Sequence, residues 1–536
     1  MGEKKLFVRE ATGLLKEWNA LDIFCITMGA LVGISFVQFP LQMWGQYPGC
    51  DYFLAFTMGA IPLFIATTCT LLLSVTLPRS GGPYIWISRY VSPTIGYICG
   101  WLAVIGFPIA FGTVSAMTVP YITDMLRTVA VVTGNAALFS TAATLAQPFY
   151  QYLLCVIVTA LFALPLFLGR TTMRAFIYAT TLSMLIFMAI IAIFLLVTPP
   201  TSFVEAWDKA FGPGAYAQVA TAAAAHGWTA EKYLTLNWEA IASGTVASML
   251  MWGGVSHWGS WLSGEVRRPV RTQIVGTWGI WLVAYLFAMI LGYANIAVAG
   301  KEFVTQLWVA YKYLPYLQGI APTMSLMVGV VAPLFGDIAA IIGLAAIASM
   351  FYYSLKDTPP FVAMVSRAVF AMSFDRMFPQ KFAELDKRFH QPVYAHLLET
   401  LLLIFYAVVA ITLGFWVLAG WYAFAVGINA FFMGIALASL PFTRRDVYEA
   451  SPKIIQKEIV GVPMVTIIGA ASAALWFFML GNTMKSIVTA TNGLMLLLIQ
   501  VFAYFFGGLI LYAYFHLRNE RMKISVRAIY QEIPPD

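Results

Sequence analysis

The feature that most limits what this chain can become is the length of its uninterrupted apolar runs. Between charge clusters and Pro/Gly breaks, twelve segments stand out: 20–45, 52–77, 92–125, 148–168, 175–198, 241–263, 272–298, 334–366, 392–414, 416–442, 460–481 and 487–515. A helix needs about 20 apolar residues to cross a bilayer. A transmembrane β-barrel would show alternating segments of about 10 residues, whereas these runs are continuous and longer. Charged residues make up only 10% of the chain, against about 25% in soluble domains. With 61% hydrophobic residues, polar groups cannot cover a water-facing surface. Soluble globular, disordered and disulfide-scaffold classes are excluded, and an all-α integral membrane protein with twelve transmembrane helices is expected.

The basic residues orient the spans. With the N-terminus placed inside, the inside loops carry 24 Lys and Arg and the outside loops 6, and Lys356 alone falls within a span. Lys and Arg concentrate on the cytoplasmic side of membrane proteins, so both termini are expected in the cytoplasm and the protein in the cell membrane, multi-pass. The net charge of +7 reflects this bias and does not point to nucleic acid.

No GxxxxGK[ST], HExxH or GxSxG occurs, and there is no TVGYG-like filter or arginine ladder. The five cysteines (Cys25, Cys50, Cys69, Cys99 and Cys155) form no CxxC and read as small core residues. No catalytic residue, metal site or cofactor is expected. Movement of a solute without chemistry remains, so the chain reads as a non-enzyme.

Two spans carry glycines near their middle. Span 1 reads Thr27-Met28-Gly29-Ala30-Leu31-Val32-Gly33-Ile34-Ser35-Phe36, and span 6 reads Met251-Trp252-Gly253-Gly254-Val255-Ser256-His257. These spans open two successive blocks of five. Because five is odd, the blocks enter the membrane from opposite sides, the layout of a 5+5 inverted repeat. A helix unwound in mid-membrane frees N–H and C=O groups that must face protein, water or a ligand. Its half-helix ends suit a carboxylate and an ammonium. The same glycines would also serve close helix packing.

Four stretches resemble the amino acid–polyamine–organocation superfamily, whose members have the leucine-transporter fold: the glycine-bearing span 1; Pro78-Arg79-Ser80-Gly81-Gly82-Pro83-Tyr84 with Gly96 and Trp101; Glu265-Val266-Arg267-Arg268-Pro269; and Ser366-Arg367 with Phe374-Asp375-Arg376-Met377-Phe378-Pro379 and Gln391-Pro392-Val393. The resemblance implies an amino acid or amine transporter working by alternating access. By position it implies a substrate site at Leu31, Gly33, Ile34 and Ser35 of span 1 and Met251, Trp252, Gly253, Gly254 and His257 of span 6. Gly33-Ile34-Ser35 departs from the family's Gly-Ser-Gly, which leaves carboxylate binding open, and His257 stands where relatives often have Glu. Trp252, Trp258 and Trp261 are candidates to gate or floor the site.

Lys356-Asp357-Thr358-Pro359-Pro360 places two charges inside span 8. Consecutive residues on a helix point about 100° apart, so each charge is expected to find partners elsewhere. Prolines 359 and 360 free the carbonyls of Leu355 and Lys356. In the family, span 8 lines the sodium site and some proton-coupled relatives put a span-5 lysine there. Here Met184 sits near that place, so Lys356 is expected to substitute for the lysine, with Asp357 as counter-charge or proton carrier. A structural ion pair or a locally unwound, hydrated turn is the rival reading. Glu399 in span 9 is a further intramembrane carboxylate, with Arg388 or His390 as expected partners.

The expected organisation is a cytoplasmic N-terminus (1–19), a first five-helix repeat (20–198), an extracellular loop (199–240), a second repeat (241–442), two peripheral helices (443–515) and a cytoplasmic tail (516–536). The expected function is uptake or exchange of an amino acid coupled to H⁺, Na⁺ or counter-substrate, by a monomer or homodimer whose partners are its small-molecule substrate and the lipid bilayer. Alternatives are an amine or polyamine carrier and a non-transporting, transporter-like sensor or assembly partner.

Overall fold

Helices form where the apolar runs predict them, and their ends follow local rules. The computed structural model describes residues 11–30, 39–253, 258–317, 320–489, 495, 498–499 and 501–535, and of residues 132, 250–253, 347–355, 415–417, 419–420 and 486–489 the backbone alone. Span 1 contributes α1 (Ala20–Ala30) and α2 (Phe39–Gln46). Span 2 is α3 (Tyr52–Thr76), capped by Asp51, whose side chain accepts from the Leu54 N–H at 2.9 Å. A short α4 (Pro83–Tyr90) follows. Span 3 is divided into α5 (Pro93–Gly106), α6 (Pro108–Ala116) and α7 (Thr118–Thr133). Spans 4 and 5 are α8 (Pro148–Phe167) and α9 (Arg170–Val197). Many of these helices start on proline, whose missing N–H costs nothing in a first turn.

The 199–240 segment folds into short helices, among them α10 (Pro200–Phe211) and α11 (Ala215–Ala225). Span 6 opens as α12 (Trp238–Gly253) and resumes as a 3₁₀ helix, Trp258–Glu265. Span 7 is α13 (Pro269–Ala299), followed by α14 (Lys301–Ala310) in the stretch where the sequence is amphipathic and by an unexpected short α15 (Met324–Val331). The stacked rings of Tyr216 and Phe303, 4.4 Å apart, join α11 to α14. Span 8 divides into α16 (Ile338–Leu355) and α17 (Thr358–Phe374). Then come α18 (Val393–Leu413), α19 (Phe415–Thr443), α20 (Met464–Thr489), α21 (Gly507–Arg521) and α22 (Val526–Gln531).

Among the described residues, eight helices are long and apolar enough to cross a membrane. Their burial sorts them. The stretches Tyr52–Thr76, Pro93–Val131 and Trp421–Thr443 are 72–83% buried, the other five only 28–39%, so the first three form an inner layer. The outer helices expose apolar stripes, such as Leu153, Ile157, Leu161 and Leu164 on α8. Apolar surface this extensive cannot face water, and it marks a multi-pass membrane protein.

Small residues let α19 and α20 approach closely. A Cβ on Gly434 would lie 2.6 Å from the Ala473 nitrogen, and one on Gly469 would lie 2.4 Å from the Ala438 nitrogen. Gly469→Val should therefore lower the thermal midpoint in detergent through overpacking worth about 1–3 kcal/mol. Gly481→Val on the same helix, where an added Cβ meets nothing within 4 Å, should leave the midpoint unchanged. Equal midpoints for the two variants would contradict this packing.

Candidate functional site

The break in span 8 brings two charges together. α16 ends at Leu355, Lys356 and Asp357 form a turn, and α17 starts at Thr358 with its prolines in the first turn. The Phe361 N–H donates to the Asp357 carbonyl at 3.0 Å, the first helical bond of the new segment. Outside a continuous helix, neighbouring side chains are free to converge. Lys356 Nζ donates to Asp357 Oδ1 at 2.8 Å and to the Gly29 carbonyl at 2.6 Å. The expectation that the two neighbours cannot satisfy each other is thus corrected: it assumed an unbroken helix. Both side chains are buried, and Asp357 Oδ2 has no hydrogen-bond partner among the described residues.

Three spans meet at Gly29. A Cβ there would lie 3.2 Å from Pro360 of α17 and 3.3 Å from Thr181 Oγ1 of α9. Thr181 donates to the Cys25 carbonyl of α1 at 3.2 Å, and Met184 is buried one turn further along α9.

An aromatic layer packs beside the turn. Phe111 of α6 stacks on Phe361 of α17 with ring centres 3.8 Å apart, and Trp258 lies 5.0 Å from Phe111 and 5.2 Å from Phe361. Phe107 lies 5.3 Å from Trp261 and 6.1 Å from Tyr422. Two of the tryptophans picked out in the sequence, Trp258 and Trp261, belong to this layer. Phe107, Phe111, Phe361 and Tyr422 were not legible beforehand, since no spacing in the chain separates them from ordinary core aromatics.

A buried ionic layer lies toward the end of span 6 predicted to be cytoplasmic. Glu265 accepts two bonds from Arg367, Nε at 2.8 Å and Nη2 at 2.9 Å, and one each from Arg170 at 3.3 Å, Ser80 at 3.2 Å and the Trp18 indole at 3.4 Å. Its carbonyl takes the Glu17 and Trp18 N–H groups at 2.9 and 3.0 Å, which pins the segment before α1 across this end. Burial pushes the Glu265 carboxyl up, but Arg367, Arg170 and Ser80 outweigh burial and hold it below the usual carboxylate range. A second cluster joins Asp375 Oδ2 to the Tyr84 hydroxyl and to Arg89, each at 2.6 Å, with the Arg89 guanidinium 5.1 Å from the centre of the Tyr530 ring. Here burial dominates, and the Asp375 carboxyl stays above its ordinary value despite Arg89 and Tyr84.

The Gly81-Gly82 pair makes the approach between these layers possible. Both have positive φ, +135° and +55°, and a Cβ on Gly82 would fall 2.5 Å from the Trp261 ring. Gly81 N–H donates to the Trp261 carbonyl at 3.2 Å.

Of the residues assigned to the substrate site, Leu31, Gly33, Ile34, Ser35, Gly254 and His257 lie outside the described residues. Met251, Trp252 and Gly253 form the last turn of α12. Lys356 and Asp357 are brought together, and Gly29, Thr181 and Pro360 join them. The Glu265–Arg367 pair was visible only as two separate family-like stretches, because nothing in the chain says that residues 102 apart meet.

Breaking a buried ion pair costs roughly 3–5 kcal/mol, so Glu265→Gln should lower the thermal midpoint at neutral pH. A carboxyl held below its unfolded value stabilises above that value, here about 4.5, and loses the contribution as pH falls through the folded one. The gap between wild type and Glu265→Gln in a melting series should therefore close in acid; a constant gap would contradict the pairing.

The profile of a family described as amino acid permease matches residues 19–507 of the chain. No curated protein matches it.

Proposed function

Since the chain belongs to the amino acid permease family, a family of transporters and not of enzymes, we propose that it is a secondary transporter that takes up or exchanges an amino acid across the cell membrane by alternating access. The proposed frame is the leucine-transporter fold, with inverted halves at 20–198 and 241–442, two peripheral helices beyond and both termini cytoplasmic. The charge bias of the loops and the change of winding within span 6 support it. The substrate is assigned to the space between Leu31, Gly33, Ile34 and Ser35 on one side and Met251, Trp252, Gly253, Gly254 and His257 on the other.

The observation that carries the coupling reading is the ligation of Lys356. A carbonyl of α1 and a carboxylate at the head of α17 hold its ammonium, which supports reading it, with the family resemblance, as a built-in cation in place of a mobile one. Intramembrane charges of this kind are functional by default. With both groups charged, α1 is tied to α17. Transfer of a proton to Asp357 removes the counter-charge and loosens the tie, which lets the proton gradient bias the equilibrium between the two faces. The departure of Gly33-Ile34-Ser35 from Gly-Ser-Gly favours a second reading, an amine or polyamine carrier with no carboxylate to hold.

Purified protein in liposomes, given a panel of labelled amino acids and amines under imposed pH or sodium gradients, tests both readings. Amino acid accumulation driven by a pH gradient is expected, with Asp357→Asn and Lys356→Met losing accumulation at least tenfold while exchange persists. Accumulation of amines alone would favour the second reading. Unchanged coupling in both variants would remove the Lys356–Asp357 role, and binding without uptake of any solute would defeat transport.

A further inference from the structure

Glu399 on α18 is a buried acid that the site above does not use. The residue has no exposed surface, and neither carboxylate oxygen has a hydrogen-bond partner among the described residues. Neither Arg388 nor His390, the partners the sequence offers, bonds to it; the Arg388 guanidinium lies 4.9 Å from the centre of the Phe389 ring instead.

The helices packed on α18 bring few ionisable groups. α6 has none. α8 brings Tyr150, Tyr152 and Cys155; the Tyr152 hydroxyl pairs with Thr412 and the Cys155 thiol with the Ser115 carbonyl. α19 brings Tyr422. The 3₁₀ turn Gln380–Ala383 brings Lys381, which sits over the Tyr394 ring. α17 brings Arg367 alone. On α18 itself, Tyr406 lies two turns beyond Glu399, and His396 lies one turn before it with Nε2 3.4 Å from Arg367 Nη1. Facing a guanidinium donor, that nitrogen accepts, so His396 is neutral. An ionised carboxylate without donors or counter-charge does not persist in such a place.

We propose that Glu399 is a proton-binding site distinct from the Lys356–Asp357 pair, a neutral carboxylic acid while Glu265 holds Arg367, and that it releases its proton when the cytoplasmic layer opens. Opening takes Glu265 away from Arg367 and leaves a buried guanidinium without an anion. The Glu399 O–H bond then breaks, the proton passes to water entering from the cytoplasm, and the carboxylate, one turn from the histidine that touches Arg367, becomes the replacement counter-charge. By reciprocity, cytoplasmic acid favours the closed layer. The gating half of this proposal rests on alternating access; the protonation half does not.

Infrared spectra of the full chain in lipid nanodiscs at neutral pH test the first half. The C=O stretch of a protonated carboxyl is expected in wild type and in Asp357→Asn, and is expected to lose intensity in Glu399→Gln. Survival of the whole band in Glu399→Gln overturns it. The second half is read from the thiol-labelling rate of Ser80→Cys, next to Glu265, which requires no transported substrate. Measured relative to a free thiol labelled at the same pH, to remove the thiolate's own titration, labelling should slow several-fold as pH is lowered, follow the free thiol with Glu399→Gln added, and keep a displaced pH dependence with Glu399→Asp. An unaltered pH profile in the Glu399→Gln background overturns the link to opening.

Discussion

A charge inside a membrane protein is tolerable only when another element supplies its counterpart, and the way this chain meets that demand organises the rest of the fold. Arg367 reaches back 102 residues to Glu265, Arg89 reaches forward 286 to Asp375, and Lys356 reaches back 327 to the Gly29 carbonyl. Each bond ties helices from distant parts of the sequence. Removing one partner strands a desolvated charge, which costs more than the pair contributes. These contacts therefore hold together helices that lie far apart in the chain.

These contacts share one element. Along and around α17 come the Lys356–Asp357 turn at its head, Phe361 in the aromatic layer, Arg367 in the ionic layer and Asp375 at its foot. Asp357 and Arg367 are ten residues apart, about 15 Å along a helix. The span-1 tie, the stacked rings and the clasp on Glu265 are thus mounted at successive heights on one rigid rod, and movement of that rod against α1 and the 3₁₀ segment acts on all three together.

Much of this was legible in the chain. Long apolar runs pointed to the long helices, because hydrocarbon thickness and backbone satisfaction leave few alternatives. The oddity of Lys356-Asp357 was plain, and so was the need for a partner outside span 8. The mutual bond of the two neighbours was not, because sequence spacing converts to direction only on an unbroken helix, and the prolines at 359 and 360 start a new one. The Glu265–Arg367 bond and the Phe111–Phe361 stack were hidden for another reason: each depends on tertiary approach, and the residues themselves look like any other buried charge or ring. α15 was missed because eight residues of helix are too few to show a period.

The 3₁₀ segment Trp258–Glu265 carries a mechanical consequence. Such winding rises about 2.0 Å per residue against 1.5 Å in an α-helix, and stretches beyond three or four residues are uncommon. This one is eight residues long. Rewinding it into α form shortens it by about 4 Å. A hydrogen bond between ions fails over a smaller displacement than that. With Trp258 held among the rings, a contraction of this piece alone would draw Glu265 away from the Arg367 guanidinium, a displacement contained in fewer than three turns of backbone around Trp261.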